Sequence, residues 1–386
     1  MLPSLRTFLT TVAVLTVTVN AIPQDGSGFG ASTSTSSFLA VPSSSSTAST
    51  TGAASTTTAC NNSPDLCTRS YGNITHMGAH DSSFLRDEST SNSIAGNQYF
   101  NATVALDAGI RLLQIQVHNE GGVIEMCHTS CSLLDAGPLQ DWLVIIKSWM
   151  DSHPNEVVTL LIVNSDGKAA ADFGSVFSAS GIDTYGYVPS GVGAWPTLQE
   201  MINANKRLVT FIASITANSQ FPYLLSEFDY VFETPFEVTE LSGFNCTLDR
   251  PSSQNSASAA IQAGMLPLMN HFKYDLLAAS IMVPDEGNIS TTNSPSTTTE
   301  GNLGLHAQTC LQQWGIKPSF VLVDFFSEGP AVQAADNLNG IKAVGRTTTG
   351  QRVTTVATAT AGLKHRGLGM GAGALVAFVA AALVLV

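Results

Sequence analysis

The stretch NITHMGAHDSSFL, residues 73–85, decides how the chain is read. A short apolar run closes on two small residues, Gly78 and Ala79, and then sets His80 and Asp81 side by side. A strand that ends on such a pair offers chemistry at its C-terminal end, where parallel α/β folds hold their sites. Working outward, apolar runs at 109–117, 156–163, 206–213, 229–233, 265–272 and 319–326 read as further strands. Near-continuous Val, Ile and Leu in several of them suits parallel strands buried on both faces. Leu139, Trp142, Leu143, Ile146, Trp149 and Met150 recur at helical spacing over 138–150, and 97–108 reads as a helix closed by Gly109. Strands alternating with helices from residue 60 to 342 predict one α/β domain, a TIM-type (β/α) barrel.

The flanks read differently. Residues 1–21 have the form of a signal peptide, with Arg6, an apolar run from Phe8 to Val19 and a cleavage site after Ala21. Residues 22–59 are a Ser/Thr-rich stretch that cannot bury a core, so a disordered stalk is expected; 343–362 is a Thr/Ala-rich linker of the same kind. The segment 363–386 has a polar spacer, Lys364, His365 and Arg366, and an apolar tail from Leu368 to Val386. With the small residues Ala357 to Gly362 ahead of it, that order matches a GPI-anchor signal; the alternative is an ordinary membrane span. A third Ser/Thr-rich patch, 288–302, is expected as a surface loop of the domain.

Six cysteines on a secretory route argue for disulfides, and near-neighbour closure suggests Cys60–Cys67 and Cys127–Cys131, leaving Cys246–Cys310. Sequons at Asn61, Asn73, Asn101, Asn245 and Asn288 mark candidate glycosylation sites, with Asn73 close to the proposed site. The formal net charge is -13 with no basic block, which argues against a nucleic-acid partner. A monomer held at a membrane by its anchor is expected.

Four blocks carry the chemistry. GAHDS holds His80 and Asp81; RLLQIQVHN puts Gln114, Gln116 and His118 on one face of a strand; EMCHTSC holds His128 in a cysteine-bounded loop; VLVDFF ends a strand on Asp324. Two imidazoles with carboxylate partners, at separate strand ends, are the parts for general acid–base cleavage of a phosphodiester. His76, His153, His271, His306 and His365 are read as structural or left unassigned.

In order and spacing, NITHMGAHDSSFL, LDAGIRLLQIQVHNEGGVIEMCHTSC and SHPNEVVTLLIVNSD resemble the phosphatidylinositol-specific phospholipase C X-domain superfamily, and within it the fungal secreted, GPI-anchored phospholipase C-like phosphodiesterases. The resemblance runs from about residue 60 to 342 and implies a distorted TIM barrel. It implies His80 as general base oriented by Asp324, His128 as general acid paired with Asp81, and Glu233 of VFETPF as a contact to substrate hydroxyls. The substrate implied is a phospholipid or glycolipid phosphodiester. One departure stands out. Metal-independent relatives carry an Asp and then an Arg on the strand where this chain has Gln114 and Gln116, and calcium-dependent relatives place acidic ligands there. No calcium or other cofactor is therefore expected, and the phosphate lacks its usual cation. Such a loss can cost about 10³-fold in rate. Gln114 and Gln116 are candidate substrate contacts, able to donate hydrogen bonds to the phosphate but bringing no positive charge; His118 and Arg86 are the candidate replacements for the cation. Three readings follow: a cell-surface phosphoric diester hydrolase, a non-catalytic surface binding protein, and a structural wall glycoprotein.

Overall fold

The structure, a computed structural model, describes residues 58–278 and 281–347. The signal segment, almost all of the stalk, most of the linker and the C-terminal tail fall outside the described residues. The strands are β1 (His76–Ala79), β2 (Leu112–Glu120), β3 (Val123–Cys127), β4 (Asp135–Pro138), β5 (Val158–Asn164), β6 (Leu208–Ala213), β7 (Leu224–Ser226), β8 (Val231–Glu233), β9 (Leu266–Asn270), β10 (Tyr274–Ala278), β11 (Ile281–Pro284) and β12 (Phe320–Val323). The sheet order β7-β6-β5-β2-β1-β12-β9-β8 is sequence order taken around a ring, and every pairing along it is parallel. The last strand, β12, pairs with the first. No ladder joins β7 to β8, where the short helix Glu227–Tyr230 intervenes. The fold is thus α/β, a TIM-type barrel left open at one seam. β3 and β4 extend β2 as an antiparallel meander, and β10–β11 is a separate hairpin.

The alternation of strand residues builds two apolar layers. Leu112, Leu161, Phe211, Leu268, Phe320 and Leu322 fill one, inside the barrel. Leu113, Leu160, Ile162, Ile212 and Val323 face the other way, onto helix residues such as Leu143, Ile146 and Phe173. Gly78 belongs to the inner set. A Cβ there would come within 2.8 Å of both Leu112 and Leu322, which is why the strand leading to His80 carries glycine.

The first long-range helix, α1 (Ala102–Asp107), is shorter than the spacing suggested. Asn101 caps it by accepting from the Val104 N–H, and residues 97–100 lie outside any helix, with Asn97 and Gln98 fully buried. Helix α2 (Leu139–Ser152) buries the six residues expected of it. The segment 288–302 departs from expectation. Ile289, Thr292, Asn293 and Asn302 are buried, and Asn293 donates through Nδ2 to the carbonyl oxygens of Asp324, Phe325 and Glu328 at 2.9, 3.1 and 3.0 Å. A Ser/Thr-rich composition here covers a structural brace. β7 and the β3–β4 and β10–β11 pairings had no clear sequence signature.

The three disulfides pair Cys60 with Cys67, Cys127 with Cys131 and Cys246 with Cys310, as near-neighbour closure suggested. The Asn61 sequon is corrected. Its Nδ2 donates to the Val157 carbonyl at 3.2 Å and its Oδ1 accepts the Val157 N–H at 2.7 Å, in a site that excludes solvent. A folded chain has no room for a glycan there. Asn73 is exposed and precedes β1, at the opposite end of that strand from His80. Asn101, Asn245 and Asn288 are exposed. Among the described residues no helix is long and apolar enough to cross a membrane.

Candidate active site

Three strand ends place the reactive groups. His80 follows β1 and donates its N–H to the Val323 carbonyl at 2.9 Å, Asp324 follows β12, and His128 follows β3. At each end the chain turns through a left-handed residue that is not glycine: Asp81 at φ 46°, Phe325 at φ 43° and Thr129 at φ 60°. Each such residue costs about 1 kcal/mol or more, so something must hold it. Gln114 Oε1 accepts the Asp81 N–H at 2.6 Å, Gln116 Oε1 accepts the Thr129 N–H at 2.7 Å, and the Asn97 carbonyl accepts the Phe325 N–H at 2.8 Å. The two glutamines that stand where relatives carry charge therefore brace the turns after the two histidines. Gln116 Nε2 also donates to Ser165 Oγ at 3.1 Å.

The imidazoles converge. Asp81 Oδ2 lies 3.7 Å from His80 Nε2 and 3.4 Å from His128 Nε2, so the two nitrogens are at most about 7 Å apart, the sum of those distances. His80 Nδ1 is hydrogen-bonded to Asp324 Oδ1 at 2.8 Å, and Asp324 is almost fully buried. Phe272 stacks on the His80 ring, with centroids 3.7 Å apart and planes within 6°; Phe84 meets His128 edge-on. The disulfide Cys127–Cys131 closes the loop that carries His128, whose Nδ1 lies 3.1 Å from Thr129 Oγ1.

Electrostatics treats the two rings differently. Burial opposes charge on His80, but Asp81, Asp324 and Glu233 outweigh it and raise its pKa. Burial dominates at His128; Asp81 only partly offsets it, the neighbouring His80 works against it, and its pKa is lowered.

The remaining candidates divide. Glu233 ends β8, buried, where it accepts from Arg250 at 2.5 Å and from Asn270 Nδ2 at 3.1 Å. Burial opposes its charge, yet Arg250 and a hydrogen bond from Glu227 hold its carboxyl below the usual value, while burial pushes Glu227 well up. His118 shares its strand face with the glutamines as expected, and its Nδ1 lies 3.2 Å from Asp166 Oδ1. Arg86 is corrected: it is buried, and its donors go to the Gly96, Ile94 and Pro284 carbonyls and to Glu286. It is not available to a phosphate. Sequence reasoning missed Asn97, Gln98, Phe272 and Arg250. Asn97 and Gln98 lay inside a helix assignment, and Phe272 inside a strand assignment, so neither stood out as a site residue. Among the described residues, Cys246, His306 and Cys310 form the one grouping of metal-ligand type, and its two sulfurs are joined as a disulfide. His76 begins β1, at the opposite end of that strand from His80, while His271, which follows β9, is buried and hydrogen-bonded to His306.

Residues 66–339 match the PI-PLC X family. A PI-PLC X domain-containing protein of Arthroderma benhamiae is 40% identical over 287 residues, covering 73% of this chain and 90% of that protein. A second protein of the same fungus, described as an uncharacterized secreted protein, is 36% identical over 301 residues, covering 75% of this chain and 66% of its own length. Among solved structures, the phosphatidylinositol-specific phospholipase C from Listeria monocytogenes aligns at 14% identity and TM-score 0.47, over 72% of this chain and 96% of that one. By the family match and the extent of its likeness to the first fungal relative, the chain belongs to the PI-PLC X domain family.

Proposed function

We propose that this chain is a secreted, cell-surface phosphoric diester hydrolase of the phosphatidylinositol-specific phospholipase C type, cleaving a phospholipid or glycolipid headgroup by histidine acid–base catalysis without a metal. The observation that carries the reading is that both imidazole Nε2 atoms stand within 4 Å of one carboxylate oxygen, Asp81 Oδ2. Asp324 keeps the His80 proton on Nδ1 and leaves Nε2 to take the proton of a headgroup hydroxyl. That oxygen attacks phosphorus, and His128 returns a proton to the departing lipid alkoxide. Asp81 favours the charged form of His128 that this step requires. The raised pKa of His80 makes it the stronger base, while the lowered pKa of His128 makes it the stronger acid and the scarcer one at rest. A bound phosphodiester anion favours the imidazolium and restores the balance. Secretion is in keeping with three disulfides and with the likeness to the second fungal relative, an uncharacterized secreted protein. GPI anchoring rests on the 363–386 tail alone.

A second reading, a surface protein that binds such a headgroup without turning it over, is favoured by Gln114 and Gln116, which supply no positive charge to the phosphate. One experiment separates the two. Residues 22–355 are purified and assayed for release of water-soluble headgroup from phosphatidylinositol and from GPI-linked substrates, with and without chelator, beside His80→Ala and His128→Ala. Release by the unaltered protein alone, insensitive to chelator, supports the hydrolase. Equal release by all three sinks it, and headgroup binding with no release supports the binding protein.

A further inference from the structure

We propose that Asn97 is a positioning residue of the site: its side-chain amide locks the Asp324 carboxylate and thereby holds His80 with its proton on Nδ1 and its lone pair on Nε2. The inference rests on the acid–base reading of His80 above and deepens it.

Asn97 is completely buried. Its Nδ2 donates to Asp324 Oδ1 at 3.0 Å and stands 3.3 Å from His80 Nδ1, which is itself 2.8 Å from the same oxygen. Three groups thus close a triangle on one carboxylate oxygen. Asp324 Oδ2 and Asn97 Oδ1 have no partner among the described residues, although both are buried. A buried amide oxygen left unpaired is unfavourable, and turning the amide over would set that oxygen against the carboxylate. The amide is therefore pointed by Asp324, donor first. Two donors, the amide N–H and the imidazole Nδ1–H, then converge on Oδ1 and fix which oxygen faces His80.

The alternative tautomer shows what the arrangement selects. If His80 carried its proton on Nε2, Nδ1 would face the carboxylate lone pairs and Nε2 could not act as a base. The position of Asn97 is itself secured. Its N–H donates to the Phe84 carbonyl at 2.9 Å and its carbonyl accepts the Phe325 N–H at 2.8 Å. The next residue repeats the pattern: Gln98 Nε2 donates to the His80 and Val323 carbonyls at 2.7 and 3.1 Å, and its Oε1 accepts the Phe326 N–H at 3.0 Å. One dipeptide ties the end of β1 to the end of β12.

The charged groups around His80 are Asp81 in its own turn, Asp324 after β12, Glu233 at the end of β8 and His128 from the β3–β4 loop. Asn97 is the neutral donor among them. It stabilises the Asp324 anion and so limits how tightly the dyad holds a second proton on His80.

The test is Asn97→Asp, which keeps the shape but replaces the donor by an acceptor, beside Asn97→Leu, which removes it. Imidazole nitrogen shifts of His80 in isotopically labelled protein report tautomer and pKa without turnover. In the unaltered protein the neutral ring is expected as the Nδ1–H tautomer. Asn97→Asp is expected to raise the His80 pKa by about one pH unit or more, and Asn97→Leu to raise it less. The kcat/KM break set by His80 moves with it, and kcat falls while KM holds. A folded variant with unchanged His80 tautomer and titration overturns the proposal, whatever happens to activity. If Asn97→Asp does not fold, Asn97→Leu decides by the same shifts. If the unaltered protein shows no turnover, the acid–base reading fails while the nitrogen shifts still decide the role of Asn97.

Discussion

His76→Gln separates a structural histidine from the proposed acid–base pair by its pH dependence. His76 begins β1, almost fully buried, with Nε2 hydrogen-bonded to the Tyr71 carbonyl at 3.1 Å and its ring against Tyr71 and Phe320. Burial, helped by Lys317 and Arg111, lowers its pKa from 6.5 to about 4. A depressed folded value means stability that is present above 6.5 and lost as pH falls toward 4, because only the unfolded chain binds the proton in that window. The loss from this one residue is about 2 kcal/mol at pH 5 and about 3 kcal/mol at pH 4. Set against the roughly 5–15 kcal/mol that holds a typical domain, that is a large share. His306, also lowered to about 4 by burial, adds in the same direction. His80, raised, contributes nothing further below 6.5, since both states are then protonated. Glutamine keeps a donor for Tyr71 and does not titrate. It should cost about 1–2 kcal/mol at pH 7 from lost packing. The gap to the unaltered protein should then close by about 2 kcal/mol at pH 5. Urea unfolding followed by circular dichroism at pH 7, 6 and 5 reads both numbers. A gap that stays constant across that range would refute the burial argument. Headgroup release at pH 7 by the folded variant should match the unaltered protein.

Three further outcomes are expected. Asp324→Asn removes the carboxylate that selects the Nδ1–H tautomer of His80, so kcat should fall by about 10³–10⁴ with KM little changed, read from headgroup release. With the base raised and the acid lowered, the active form is the minor singly protonated one, so the kcat/KM profile should rise to a break below 6.5 set by His128, run level, and fall beyond a break above 6.5 set by His80. The level region stands at a small fraction of the full rate, because few molecules hold both protons where they are needed; a profile with a single break would contradict the assignment. Glycopeptide mass spectrometry of the secreted protein should find Asn61 unmodified while exposed sequons such as Asn73 and Asn101 carry glycans; a glycan at Asn61 would mean that its hydrogen bonds to Val157 do not form.

Much was legible in the residues, because it depends on local physics. Apolar runs bounded by polar ones set most of the parallel strands, and the helical spacing of Leu139 to Met150 set α2. The blocks GAHDS, CHTSC and VLVDFF named the two imidazoles and both carboxylates. What the residues did not disclose depends on contacts between distant segments. Nothing local marks Asn97 as the partner of residues 17 and 227 positions away. Arg86 looked free because its four acceptors come from separate stretches of backbone and from Glu286. The Ser/Thr-rich 288–302 segment looked like a surface loop because composition measures average polarity and not which single asparagine is buried. Gln114 and Gln116 were read as open to substrate, and their oxygens brace two left-handed turns. Composition and period follow from side-chain solubility and backbone geometry, which act over a few residues. The pairing of buried polar groups follows from closing the barrel, which only the whole chain can do.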